Sequence, residues 1–355
     1  AFAAADLPFT AALTNCIDDL YRAGLDRQPP PTDDRREHPS PTGHLLPHSA
    51  ADFAEYYDDV SAFASKFMKH LMRSVENVQH QADCLHLKPA ALARVISQQA
   101  PGAGAWLLAC PTDAHSRIND PQMAMCLRYW LGACHSANAT TCGRCNAKFQ
   151  AGEANTHALC CLLARKRERN DQHNQLVFLG AAQCRRSGLA VQVEPAPDAG
   201  SRKHPDLQVF FPSKPLFGDV TTRDPTAPSA ILNGVRAGTA THQAALYKTD
   251  KYKEYVELRA SDFAPLAIET FGRMHPAYRS FLKRLTVAAV TNCKISDTKS
   301  ERTKYYTQLI QETSVCLQRG NAHVLLVAAA LYRKSAAKVS RARRGDCEIV
   351  LAPQR

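Results

Sequence analysis

The sequence predicts a mixed α/β (α+β) protein whose central portion runs helix, three strands, helix, strand. Three observations point to it. Three short segments rich in strand formers follow one another between a basic helical run ending at Gly188 and a second helical run near Thr241. A fourth apolar segment, from Phe263, comes after that second helix. A compact Cys/His segment, 142–161, separates this portion from a mostly helical one upstream.

Taken in order, residues 1–26 read as helical, and Arg27–Ser49, dense in proline and charge, as a linker or exposed loop. From Ala51 to about Leu87, Phe53, Tyr56, Tyr57, Val60, Phe63 and Phe67 recur at helical spacing. Further helices are expected at Pro89–Gln99 and Pro121–Leu131, so 1–135 forms a mostly helical region with a Pro-rich loop at 27–49. The Cys/His segment occupies 136–164. A basic helix from Leu162 to Gly188 leads into strands at Leu189–Pro195, Asp206–Phe211 and Leu216–Thr222. A helix at Thr241–Arg259 and the run "FAPLAIETFG" complete a core at 165–275. "AYRSFLKRL", "YYTQLIQETSVCLQRG" and "AHVLLVAAALYRK" read as packing helices over 276–335, and 336–355 as a basic tail.

An apolar share of 45% and a charged share of 22% are those of a chain that buries a core, and exclude an intrinsically disordered protein. The net charge of +11 favours a polyanionic partner without bearing on fold. Thirteen cysteines, an odd number with no secretory signal ahead of them, read as reduced intracellular thiols, a subset available for metal. No apolar run approaches the length that crosses a bilayer. A start at Ala1 rather than Met suits the C-terminal piece of a longer protein.

Two aspartates carry the first candidate chemistry. Asp206 opens the second strand and Asp219 lies on the third, with twelve residues between them. A hairpin brings both to one sheet edge, and Glu194 ends the first strand beside them. Three converging carboxylates make a hard oxygen site of the kind Mg²⁺ prefers, able to activate water and stabilise the leaving oxygen of a phosphodiester. The plain alternative is that both aspartates serve turns, as Pro-Asp often does.

The second candidate is "CGRCNAKFQAGEANTHALCC". Cys142 and Cys145 at CxxC spacing, His157, and one of Cys160 or Cys161 suit tetrahedral Zn²⁺, with Cys134 and His135 as further candidates. Such a site would be structural, holding together a segment too short for its own core. The alternative is a set of buried core cysteines. Arg165, Lys166, Arg167 and Arg169 at the start of the basic helix, and Arg185 and Arg186 near its end, could contact phosphates or simply form a solvated face. The stretch "RKSAAKVSRARR" reads as a nuclear-import signal or nucleic-acid tail. "EYYDDV" at 55–60 is similar to a polymerase Tyr-x-Asp-Asp motif but lies in a helical pattern, and is set aside.

These motifs, in this order, resemble the PD-(D/E)xK nuclease superfamily. More closely, they resemble the zinc knuckle and restriction-like endonuclease region of site-specific non-LTR retrotransposon, reverse-transcriptase-related proteins. Cys142 to Cys161, "DQHN" with His173 and Asn174, Pro205-Asp206, Asp219-Val220 and "LYKTDKY" with Lys248, Lys251 and Tyr252 stand in the family's sequence, over about 100–330. The resemblance implies Cys142, Cys145, His157 and Cys161 as zinc ligands, since the family spacing is His-Ala-x-x-Cys. It implies Glu194, Asp206 and Asp219 as magnesium ligands, Lys248 or Lys251 assisting water or phosphate, and His173 supporting from the preceding helix. Gln172 stands where the family has arginine, and Thr221 where a lysine is usual, with 28 residues separating Asp219 from Lys248. The implied activity is Mg²⁺-dependent nicking of a DNA target by a nuclear or otherwise intracellular protein. Element RNA is a second candidate partner, and no membrane is expected. The polymerase would lie in a reverse transcriptase domain not present in this chain. The alternative from the same resemblance is an inactive nucleic-acid-binding module.

Overall fold

Alternation of side chains along the three strand segments decides which face of the sheet each residue occupies, and the partners follow from it. In the computed structural model, described for residues 84 and 86–348 apart from interruptions at 112–116, 135–139, 151, 162, 165–166, 196–203 and 233, the element order is mixed α/β. The helices expected over 1–26 and 51–87, the Pro-rich loop and "EYYDDV" lie outside the described residues, save the last positions of the second helix.

Helix α1 (Pro89–Gln98) opens with proline at its first position, where the missing N–H costs nothing. Helix α2 (Asp120–Trp130) is opened by a capping box: Asn119 accepts from the Gln122 N–H, and the Gln122 side chain answers to the Asn119 N–H. Strands β1 (Thr140–Thr141) and β2 (Lys148–Phe149) make a small antiparallel pair, followed by α3 (Ala154–Cys160).

The basic helix, α4, spans Glu168–Arg186 and starts later than expected. Glu168 and Asp171 occupy its first turn and Arg185 and Arg186 its last, the arrangement that complements the helix dipole. Of the four leading basic residues, Arg169 is in the helix and Arg167 precedes it; Arg165 and Lys166 lie outside the described residues. The helix stops at Gly188, whose φ of +78° suits glycine and whose absent Cβ admits Asn292. The Asn292 amide then donates to the Ser187 and Gly188 carbonyls.

Strands β3 (Ala190–Val193), β4 (Leu207–Phe210), β5 (Leu216–Arg223) and β6 (Asp262–Glu269) form a sheet in that order, with β3–β4 and β4–β5 antiparallel and β5–β6 parallel. The parallel pair is joined through a short helix α5 (Pro228–Ile231) and α6 (Thr239–Glu257), the crossover that parallel pairing requires. Leu207, Val209, Leu216, Val220, Leu266 and Ile268 are fully buried against α4, α7 (Pro276–Thr291) and α8 (Lys299–Glu348). At roughly 1.5–3 kcal/mol per buried aliphatic side chain, that face is the main source of stability. The other face carries Phe217 and Phe263, packed against Tyr255 and Tyr252 of α6. The sheet is thus sandwiched between helices.

The two helices expected after α7 are one helix, α8, which continues through the basic stretch to Glu348. The expected boundary between them fell at Gly320 and Asn321. Within α8 Gly320 is a point of close approach: a Cβ there would stand 2.5 Å from Gln172 Cγ on α4. The segment Lys299–Arg333 of α8 is also long and apolar enough to cross a bilayer by length and composition, although no uninterrupted apolar run of that length exists. Half of that window is buried inside the protein, and Leu309, Leu317 and Leu325 are fully enclosed, as expected of a core helix.

Candidate functional site

Register brings the acids together. The β4–β5 ladder pairs Leu207 with Gly218, so one step further Asp206 faces Asp219. On the other side the β3–β4 ladder pairs Val193 with Leu207, and the Glu194 N–H donates to the Asp206 carbonyl at 2.9 Å. Glu194, Asp206 and Asp219 therefore stand in one row across three strands. Directly opposed residues share a face, with Cβ atoms about 5 Å apart.

Side chains from both helical layers converge on two of the three. His173 of α4 reaches the strand end, its Nε2 3.3 Å from Asp206 Oδ1. The other Asp206 oxygen accepts the Val220 N–H at 2.6 Å, which locks the carboxylate beside Asp219. From the opposite layer, Lys248 of α6 places Nζ 2.5 Å from Asp219 Oδ2. One turn on, the Tyr252 hydroxyl donates to the His204 carbonyl at 2.8 Å and receives a hydrogen bond from Lys251 Nζ at 2.7 Å. Lys248, Tyr252 and Tyr255 form one stripe of α6, which explains how the lysine crosses the 28 intervening residues: α6 lies back over the strand it follows. Glu194 takes a different position. Its φ of +47° turns the strand end out of extended geometry and its side chain is exposed. Among the described residues it does not join the two aspartates in a converging ligand set.

The electrostatics follow from burial. Asp219 is 1% exposed, and burial followed by the Asp206 charge raises its pKa, against Lys248 and Tyr252, which lower it. Burial would depress His173, but the hydrogen bond and charge of Asp206, with Asp219 behind, outweigh it and raise the imidazole above its ordinary range. Tyr252 is held neutral by burial and by the carboxylates facing it. The site is two carboxylates, one met by a lysine ammonium and the other by an imidazole.

The Cys/His segment is a second centre. Cys142, Cys145, His157 and Cys161 place their ligand atoms within 4.8 Å of one another, a Cys₃His set able to hold a metal ion such as zinc. Cys145 Sγ stands 3.3 Å from His157 Nε2, and the His157 ring stacks on Phe149. Burial works against ionisation of Cys142, but the N–H groups of Cys145 and Arg144 and the neighbouring thiols outweigh it and lower its pKa. A thiolate is what a metal needs. Cys160 is not part of this group, and burial, then the Asp224 charge, pushes its thiol up to about 12. Cys134 Sγ meets the Asn155 side chain rather than this set, and His135 lies outside the described residues. The segment is tied down by an Arg144–Glu168 ion pair to α4 and by the Thr156 hydroxyl against that of Thr226.

Sequence reasoning passed over Asp224. It is 7% exposed, accepts from both the N–H and the hydroxyl of Thr226, and lies just beyond β5 near Cys160 and Arg169. The Asp-x-Thr spacing was a legible turn signal; its burial was not. Gln172 is also more than a departure from a motif. Its amide donates to Asn321 at 2.7 Å, and Asn321 and Gln318 both donate to the Thr270 carbonyl, a buried network joining α4, α8 and the end of β6.

Fold and sites together define a mixed α/β protein with a Cys₃His cluster and a buried carboxylate pair on a four-stranded sheet. No protein-family model matches the chain, and no curated protein matches it.

Proposed function

We propose that this protein is a metal-dependent DNA endonuclease of restriction-like type, similar to the region that follows the zinc knuckle in site-specific non-LTR retrotransposon proteins. The observation that carries the reading is the opposed Asp206–Asp219 pair, with His173 on one carboxylate and Lys248 on the other. Hard oxygen donors in this arrangement fit Mg²⁺, which commonly uses one or two protein carboxylates together with substrate phosphate. Asp206 and Asp219 would hold it, and the ion when bound supplies Lewis-acid activation of water and of the leaving oxygen. Lys248 stands in for the lysine missing at Thr221: it neutralises Asp219 in the resting site and can turn its ammonium to the scissile phosphate. His173 holds a proton at Nε2 and fixes the orientation of Asp206. Glu194 is the third carboxylate of the row and reaches the site only by a rotation of the strand end.

A second reading, a nucleic-acid-binding module that does not cut, is favoured by the same Lys248–Asp219 ion pair and by the exposure of Glu194. Nicking of supercoiled plasmid in Mg²⁺ separates the two. The parent should nick, and Asp206→Asn, Asp219→Asn and Lys248→Met should each lose about 10²-fold or more in rate while keeping DNA affinity. Salt-sensitive DNA binding without nicking by any of the four proteins establishes the binding module instead.

A further inference from the structure

A cleft of about 520 Å³ opens at the start of α6 and α7, away from the carboxylates, lined by Arg273, Arg279 and Lys283 with the imidazoles of His242 and His275. No aspartate or glutamate lines it. Arg273 has a partner, the Glu269 carboxylate at 3.7 Å, and it also donates to the Ile96 carbonyl. Arg279 and Lys283 have no ion pair among the described residues, and with His275 they repeat at four-residue spacing along one face of α7. Like charges at that spacing destabilise a helix, so Arg279 and Lys283 side by side at a cleft make an arrangement that an anion relieves. The His275 ring accepts the Ala277 N–H at Nδ1, which leaves Nε2 as a donor. Burial and the nearby His242 charge lower its pKa, in keeping with a cationic surrounding. At the start of α6 the N-cap is Gly238, and the Glu269 carboxylate, outside the cleft lining, accepts from the Thr241 N–H.

We propose that this cleft binds a phosphate group, supplied by a nucleic-acid backbone or by a free phosphoanion. Its volume is that of a small-molecule pocket and leaves room for a phosphate together with the group that carries it. Thr241, in the lining, precedes Lys248 by seven residues on the same face of α6, about 10 Å along the axis. One polynucleotide can therefore span the cleft and the carboxylates. The inference stands whether or not the carboxylates cut.

The test uses the full chain and Arg279→Gln/Lys283→Gln, with Lys283→Gln alone as a variant at an exposed position. Inorganic pyrophosphate is titrated by calorimetry, and a labelled DNA duplex is titrated by anisotropy across a salt series. The parent should bind pyrophosphate and the double variant should bind it at least tenfold more weakly, with Lys283→Gln between them and thermal melting unchanged. If the salt slope for duplex binding also falls by about 1–2 in the double variant, the phosphate comes from the backbone. If the slope is unchanged while pyrophosphate binding is lost, the ligand is a free phosphoanion. A parent that does not bind pyrophosphate, or variants that match a binding parent on both probes, overturns the proposal. Asp219→Asn should keep pyrophosphate binding, so loss of nicking with that binding intact bears on the nuclease alone.

Discussion

At the scale of the residue, His173 and Asp224 are both governed by burial, with opposite outcomes. Burial alone would lower the His173 imidazole, and Asp206 reverses the sign. In Asp206→Asn the midpoint of its titration, followed by NMR of the ring, should fall to or below the ordinary histidine range; an unmoved midpoint would show that another group holds the proton. For Asp224, burial comes first and the bonds from Thr226 oppose it, leaving a pKa raised from 3.8 to about 6. A folded-state pKa above the unfolded one means that the native protein binds the extra proton. Asp224 therefore contributes stability that is complete below about pH 4 and lost as pH rises through about 6. Asp224→Asn keeps an acceptor for Thr226 and removes the buried charge. Denaturant unfolding should find it more stable than the parent at pH 7, by at most about 3 kcal/mol, and little changed at pH 4.

Elements meet through a few contacts that their own sequences do not announce. Helix α8 runs unbroken through Gly320 because α4 comes so close there that a side chain has no room. Gly320→Ala would gain up to about 1 kcal/mol in helix propensity, yet overpacking against the buried, hydrogen-bonded Gln172 costs about 1–3 kcal/mol. Net destabilisation is expected in chemical unfolding. Combining it with Gln172→Ala should cost less than the sum of the single changes, because the clash is relieved. Additive effects would mean that the two side chains do not compete for the same space. At the same close approach Gln172 is a strut to Asn321 rather than a charge.

For the whole molecule, the Cys₃His cluster is the point at which a segment of short elements joins the core. Cys142, Phe149 and Cys161 share one buried cluster with Trp106 of the upstream region and with Leu325 and Tyr332 of α8. A metal ion held there would link the thiolates to the fold. The purified protein should carry one zinc per chain. A strong chelator should lower its melting temperature, and Cys142→Ser should do the same without chelator. Metal analysis with calorimetry checks both, and a melting curve indifferent to chelation would remove the structural role.

Much of this was legible in one dimension. The CxxC spacing marked the cluster, and runs of strand-forming residues marked β4 and β5 to within a residue, because ligand geometry and strand propensity are local constraints. Glycine at 188 ended α4 for the same local reason. Other features needed the third dimension. The sequence offered Lys248 and Lys251 as equals, and packing of α6 over β5 gave Lys248 to Asp219 and Lys251 to Tyr252. It offered Glu194 as a third ligand, and the left-handed turn at the end of β3 carried that carboxylate outward. It showed no sign of the basic cleft, whose residues are scattered over two helix starts and a loop. Spacing along the chain determined which residues could meet across neighbouring strands; which of them met depended on how whole helices lie against the sheet, and that is set by the summed burial of many side chains rather than by any one motif.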